Sequence, residues 1–244
     1  MIRFPTDETD GTDEKMKVTA IIVAAGRSKR IKEKIPKQFI EIAGKPVLCH
    51  TLQGFEDCAE VDQILPVVPE DWLGYCSAEV VDKYGFRKIS QVISGGEKRQ
   101  DSVYKGLLAT PKDTSIVLIH DGVRPLVRVS KIAKSIELCK ECKAVILAVP
   151  IKETVKRVED GSVVTTLDRQ RLWTAQTPQT FDYKLLLDAY EKAKRDGFVG
   201  TDDASLVERI GIEVKILEGD YDNIKITMPE DLILVEEILR EREN

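Results

Sequence analysis

Six basic residues, Arg27, Lys29, Arg30, Lys32, Lys34 and Lys37, crowd into one short stretch opposed by a single acid, Glu33. Immediately before them stands Ala20-Ile21-Ile22-Val23-Ala24, an apolar run, and then the small pair Ala25-Gly26. Small residues let a ligand approach the backbone, and a cationic loop beyond them is suited to holding an anion. A solvated basic surface loop is the plain alternative. The position favours the anion, because open α/β sheets bind ligands at the carboxyl ends of their strands. A second stretch, Ser94-Gly95-Gly96-Glu97-Lys98-Arg99-Gln100-Asp101-Ser102, offers a turn narrow enough to admit a planar base or a ribose, or simply a tight connection. Asp121 closes the apolar run Ser115–His120 beside Gly122. A carboxylate there could hold a magnesium ion between protein and phosphates, or cap the following turn. Neither a G-x-G-x-x-G nor a G-K-[ST] signature is present, so a dinucleotide fold or P-loop is disfavoured, and contact through Arg and Lys side chains is expected.

The elements that would carry these groups alternate. Apolar runs at 20–24, 64–68, 89–93, 115–120 and 144–149 read as buried strands. Helical patterns lie between them at 47–55, 72–84, from Val103 onward and at 131–142, with Pro46 placed for a first helical turn. The alternation predicts a doubly wound, mostly parallel sheet, an α/β fold of Rossmann-like architecture. At 153–167 the pattern changes to two Val- and Thr-rich runs joined by Asp160-Gly161, a hairpin signal. Such an arm has too few apolar residues for a core and must lean on something, most simply a second copy of the chain. After 172–181 the chain returns to helices at 182–194 and beyond Thr201 or Asp202 as cap. A strand at 213–217 and a last helix from Pro229 follow.

With 244 residues, 42% apolar and a net charge of −5, the chain can fill one large α/β domain and does not suit bulk nucleic-acid binding. Residues 1–16, polar and lacking the apolar segment of a signal peptide, are expected to be a disordered extension ahead of a single domain at 17–244. Five irregularly spaced cysteines do not form a disulfide framework and fit a reducing cytoplasm. Cys139 and Cys142 read as incidental helix residues rather than a metal or redox pair.

Ala24-Ala25-Gly26, Arg30 and Pro36-Lys37-Gln38, with the Gly95-Gly96, Thr201-Asp202-Asp203-Ala204-Ser205 and Asp222-Asn223-Ile224-Lys225 segments, resemble the 2-C-methyl-D-erythritol 4-phosphate cytidylyltransferase family. The resemblance runs from about Val18 to the final helix. It implies a nucleotidyltransferase fold and a homodimer joined through a protruding arm at 151–175. It implies transfer of CMP from CTP to 2-C-methyl-D-erythritol 4-phosphate, with release of pyrophosphate, in isoprenoid precursor biosynthesis, and Mg2+ at Asp121. By the same resemblance Ala24, Ala25, Gly26, Gly96, Glu97, Ser102 and Asp121 line the CTP site. Arg30, Lys37, Arg169 and Lys225 carry the catalysis, and Arg124, Thr154, Arg169, Thr177, Thr201 and Lys225 hold the acceptor. A phosphate nucleophile needs no general base, so His120 is not expected to act as one. A cytidylyltransferase for another polyol phosphate, such as ribitol 5-phosphate, and a non-catalytic nucleotide-binding module are the rival readings.

Overall fold

In the computed structural model, residues 16–26 and 35–243 are described. The basic residues from Arg27 to Lys34, Arg30 among them, lie outside the described residues, as does the extension up to Lys15. The apolar run becomes β1, Lys17–Val23, and its alternation explains why nearly every side chain is apolar. Ala20 and Ile22 join a core on one face of the sheet, whereas Ile21 joins a separate core on the other. A parallel strand covered on both faces has no solvent side to mark with polar residues.

The other elements follow in order. Two short strands, β2 (Glu41–Ile42) and β3 (Lys45–Pro46), pair around a left-handed Ala43-Gly44 turn and lead into α1, Val47–Glu56. Then come β4 (Gln63–Val68), a 3-10 turn at Glu70–Trp72, α2 (Leu73–Tyr75) and a π-helical stretch at Cys76–Asp82. The helix expected at 72–84 is therefore helical throughout but changes winding three times, from 3-10 to α, to π and back to α at Lys83 and Tyr84. β5 is reduced to Ile93–Ser94, with one isolated bridge between Ile89 and Ile64. The strand expected at 89–93 is therefore shorter than expected and begins at its far end, and the segment before it is held by a side chain. The Glu56 carboxylate accepts from the backbone N–H groups of Arg87 and Lys88, at 2.9 and 3.2 Å.

Next are α3 (Arg99–Ala109), β6 (Thr114–Asp121), α4 (Val129–Cys142) and β7 (Ala144–Pro150). The hairpin β8 (Lys156–Glu159) and β9 (Ser162–Thr166) turns on Asp160 and Gly161, both at positive φ, as a two-residue primed turn requires. The chain closes with β10 (Trp173–Asp182), α5 (Tyr183–Arg195), α6 (Asp203–Arg209), β11 (Lys215–Glu218) and α7 (Pro229–Glu243). Asp202, not Thr201, caps α6, accepting from the Ser205 N–H at 3.0 Å.

The main sheet has seven strands in the order β11-β7-β10-β6-β1-β4-β5. All neighbours are parallel except β10, which runs antiparallel to both β6 and β7. Residues from α1 and α4 pack on the face shared by Leu118 and Ile64, and those from α3, α5 and α6 on the face shared by Val117 and Leu65. A third cluster, around Val47, Leu126, Ile226 and Val235, fastens α7 beside the loop that precedes it. The arm joins neither core. Val158, Val163 and Val164 are 52%, 62% and 45% exposed, although Val158 and Val163 face each other across the hairpin.

No helix among the described residues is long and apolar enough to cross a membrane. The five cysteines are unpaired, and burial pushes the Cys139 thiol up to about 12, far from a reactive thiolate.

Candidate active site

Three strand ends meet at one edge of the sheet. The Ala24 N–H donates to Val67 O (2.7 Å), Gly95 N–H to Val68 O (2.8 Å) and Gly122 N–H to Val23 O (2.8 Å). This zipper brings the residues after β1, β5 and β6 into van der Waals range of one another. A Cβ on Gly95 would lie 2.2 Å from that of Ala25, and one on Gly122 would lie 2.7 Å from that of Ala24. The small residues of both turns are thus needed first for chain-on-chain packing. The same lack of side chains opens a cleft of about 850 Å³ at the carboxyl ends of the parallel strands.

The cleft gathers Ala24, Ala25, Gly26, Lys37, Gly96, Glu97, Ser102, Asp121 and Lys225, residues scattered over most of the chain. Among the described residues its lining carries four cations, Lys37, Lys98, Arg99 and Lys225, against three carboxylates, Glu70, Glu97 and Asp121. Lys37 is set by the 3-10 turn Lys37–Phe39, whose Phe39 is buried and stacks on Trp72 at 5.0 Å. Its ammonium donates to Ile226 O at 2.7 Å. Gln38 donates to Ala24 O, fixing the end of β1. Ser102 ties the second turn together, accepting from Gly96 N–H (3.0 Å) and donating to Lys98 O (3.1 Å).

Asp121 is the electrostatic centre. Its carboxylate meets Lys225 Nζ at 3.0 Å, Arg99 Nε at 3.2 Å and Arg124 Nε at 3.3 Å. Burial alone would raise its pKa, but Arg99, Lys225 and Arg124 together hold it well below the usual carboxylate range. This changes the expectation of magnesium at Asp121. Both oxygens are engaged by cations, and no cluster of three metal-ligating side chains exists among the described residues. A lone carboxylate with surplus positive charge around it does not fit a divalent cation held by the protein.

The other expected residues divide into two groups. Arg124 sits behind Asp121 rather than in the cleft, its Nη1 donating to Asn223 O at 2.8 Å. Thr177 is buried beneath the same strand end. Its hydroxyl accepts from the Asp121 N–H at 3.0 Å and lies 3.0 Å from His120 Nδ1. Thr201 is exposed one residue before the α6 cap. Thr154 and Arg169 stand on the arm and do not line the cleft of their own chain, Arg169 donating to Lys152 O at 3.0 Å. The sequence reading assigned no role to Arg99 or Asp203, which form a 2.8 Å ion pair at the cleft wall. A signal was available, since Arg99 opens helix α3, where the macrodipole disfavours a cation unless carboxylates await it.

Asn223 explains why Asp222-Asn223-Ile224-Lys225 delivers Lys225 accurately. It is buried, its amide donating to Thr177 O (2.9 Å) and Gln176 Oε1 (3.2 Å), and the Ile226 N–H donates to Val123 O at 2.9 Å. Lys225 is thus held from both sides.

His120 is fully buried against Phe55 and bonded to Thr177 and Arg124 O, and burial lowers its pKa to about 3. The Thr177 hydroxyl, already accepting from Asp121, donates to Nδ1, which leaves the proton on Nε2 facing Arg124 O. A buried neutral imidazole outside the cleft is no general base. It has a consequence for folding. Between its unfolded value of 6.5 and its folded value of about 3 the unfolded chain binds the extra proton, so stability falls as pH drops through that window. The slope should approach about 1.4 kcal/mol per pH unit. Denaturant unfolding between pH 7 and 4.5 should show it, and His120→Gln should flatten it. Equal slopes for both proteins would remove His120 from the account.

An enzyme that seats a polyphosphate and steadies a second anion beside it needs this kind of cleft, and on this sheet it places the chain among the α/β nucleotidyltransferases. Comparison with known proteins narrows the class. The family model described as IspD, 2-C-methyl-D-erythritol 4-phosphate cytidylyltransferase, matches residues 18–241. A protein of that name from Geotalea uraniireducens is 47% identical over 227 residues, 92% of this chain and 97% of that one. Another from Caldanaerobacter subterraneus is 45% identical over 226 residues, covering 92% of this chain and all of its own. Among solved structures, a 4-diphosphocytidyl-2C-methyl-D-erythritol synthase from Anaerococcus prevotii superposes with a TM-score of 0.83. It is 35% identical, over 93% of this chain and 97% of that one. The Thermus thermophilus 2-C-methyl-D-erythritol 4-phosphate cytidylyltransferase gives 0.77 at 32% identity, over 92% and 100%. The chain belongs to the 2-C-methyl-D-erythritol 4-phosphate cytidylyltransferase family.

Proposed function

We propose that the cleft binds CTP and that the enzyme transfers CMP to the phosphate of 2-C-methyl-D-erythritol 4-phosphate, releasing pyrophosphate, in the supply of isoprenoid precursors. The carrying observation is the surplus of cations around Asp121 at the carboxyl ends of β1 and β6. An oxygen of the acceptor phosphate forms a bond to the α-phosphorus, and the bond from that phosphorus to the β-phosphate oxygen breaks. The acceptor carries about −1.5 to −2 charge near neutral pH, so no proton has to be removed. The difficulty is repulsion between two anions, and side-chain cations answer it.

In this reading Ala24, Ala25 and Gly26 leave room for the triphosphate, with Lys37 and Arg30 on its oxygens. Gly96, Glu97 and Ser102 face the nucleoside. Lys225 leaves Asp121 for the acceptor phosphate, while Arg124 and Thr177 keep Asp121 and its strand end fixed and Thr201 lies toward the acceptor. Arg169 and Thr154 reach the acceptor from the arm of a second subunit in a homodimer, which also covers the exposed valines of residues 151–175. A guanidinium suits that task because its fork can grip two phosphate oxygens. Mg2+ is assigned to the triphosphate, whose oxygens and water can fill its shell, rather than to Asp121. When bound it supplies further neutralisation of the phosphates. Five unpaired cysteines support a cytoplasmic setting.

Pyrophosphate release with CTP and Mg2+ tests the acceptor. Turnover with 2-C-methyl-D-erythritol 4-phosphate should exceed that with ribitol 5-phosphate by at least about tenfold, since a site built to hydrogen-bond one polyol leaves polar groups unpaired with another. Equal or faster turnover of ribitol 5-phosphate would overturn the assignment.

A further inference from the structure

Asp121 receives three cations from three places: Arg99 from the first turn of α3, Arg124 from the turn after β6 and Lys225 from the loop before α7. One carboxylate requires one unit of positive charge, so two of the three are surplus to its neutralisation. Arg99 differs from the others in having a second acid. Its Nη2 meets Asp203 Oδ2 at 2.8 Å, and the Asp203 side chain is completely buried. The other Asp203 oxygen accepts from the Tyr190 hydroxyl. The Gln179 side-chain oxygen accepts from the N–H groups of Asp203 (3.1 Å) and Ala204 (3.0 Å). A buried carboxylate without a cation is strongly disfavoured, so the start of α6 is seated by Arg99.

Chain position turns this ion pair into more than a local tie. Arg99 follows directly on Gly96-Glu97-Lys98 of the cleft-lining turn, and it lines the cleft itself at 30% side-chain exposure. Asp203 lies two residues beyond Thr201. The guanidinium uses Nε on Asp121 and Nη2 on Asp203, a two-pronged geometry that an ammonium cannot reproduce. A tie needed for stability alone has no reason to sit at a helix N-terminus, against the macrodipole, on the wall of the cleft.

We propose that Arg99 is a positioning residue for the acceptor half of the site. It locks Asp121 and the Thr201–Asp203 segment in register with the nucleotide turn, so that Lys225 and Thr201 meet the acceptor phosphate in line. The inference rests on the cytidylyl-transfer reading above. By sharing Asp121, Arg99 also weakens the hold of that carboxylate on Lys225. Without the guanidinium, Asp121 retains Lys225 more firmly and the start of α6 loses its seat.

The test is steady-state kinetics of the full-length wild type, Arg99→Lys, Arg99→Met and Asp203→Asn, with CTP and 2-C-methyl-D-erythritol 4-phosphate each varied in turn. Circular dichroism and Tm serve as the measure of folding. Folded Arg99→Lys should raise KM for the acceptor about tenfold or more and change KM for CTP less than threefold. Arg99→Met should be worse on the acceptor side, so that lysine gives partial rescue. Asp203→Asn keeps the side-chain shape, and it should raise the acceptor KM in the same direction while sparing CTP. It decides the matter if both Arg99 variants fail to fold. A merely structural tie would scale kcat with the folded fraction and leave both KM values alone. That result, or parallel rises for both substrates, would overturn the proposal. Failure of the wild type to turn over this acceptor would instead overturn the reading on which it rests.

Discussion

Lys37→Ala is expected to lower kcat about 100- to 1000-fold while moving KM for CTP by no more than a few-fold. The ammonium is placed before any ligand arrives. Ile226 O accepts from it at 2.7 Å, and the Ile226 N–H is itself held by Val123 O at 2.9 Å. Phe39, buried in the same short turn and stacked on Trp72, anchors the backbone from which the lysine projects. A charge fixed in this way incurs little reorganisation when negative charge gathers on the phosphates in the transition state. That is where its contribution should concentrate, at about 2.7–4 kcal/mol. Steady-state kinetics paired with a direct CTP titration make the distinction. A preserved kcat with a tenfold higher KM for CTP would mean that Lys37 binds ground state and transition state equally. Arg30→Met is expected to behave like Lys37→Ala. By contrast, Lys225→Ala should raise the acceptor KM and leave CTP affinity nearly unchanged.

Much of this arrangement was legible in the sequence, for reasons that are physical. Buried parallel strands leave continuous apolar runs, so β1, β4, β6 and β7 announced themselves, and Asp160-Gly161 announced the hairpin. The direction of β10 was not legible, because a strand's local pattern is the same whichever way it runs. The antiparallel pairing follows from where the arm returns the chain, between β6 and β7. Likewise the contraction of the strand expected at 89–93 to Ile93–Ser94 was not legible, because its pairing with Val67 and Val68 of β4 depends on residues more than twenty positions away.

The site shows the same division. Residues at strand ends and in small-residue turns, such as Ala24, Gly96 and Asp121, could be placed because topology alone carries them to one edge. The three cations around Asp121 were not legible, because sequence shows a carboxylate and not the neighbours that distant segments bring to it. Arg99 was overlooked for the converse reason. Its partners lie 22 and 104 residues away, and only its unfavourable place at a helix N-terminus hinted at them.

The arm sets a sharper test, because it joins architecture to chemistry. Its two strands bury nothing of their own: Val158, Val163 and Val164 are 52%, 62% and 45% exposed, and Leu167 just beyond them is 37% exposed. A free two-stranded hairpin with an apolar face is marginal in water, so the proposed homodimer supplies what its own chain does not. Arg169 then belongs to the partner's cleft, consistent with its position away from the cleft of its own chain. Lys37→Ala and Arg169→Ala homodimers should each be nearly inactive, the second through the acceptor. When the two are mixed and subunits exchange at random, half of the dimers are mixed. Each mixed dimer contains one site with both defects and one with neither. Roughly a quarter of wild-type activity should therefore return, as two-fold symmetry dictates. Recovery should follow the rate of exchange measured by native mass spectrometry. If exchange is complete and activity stays at the level of the parents, each site is built from one chain. The shared-site proposal then falls, while the assignment of the cleft to CTP is untouched.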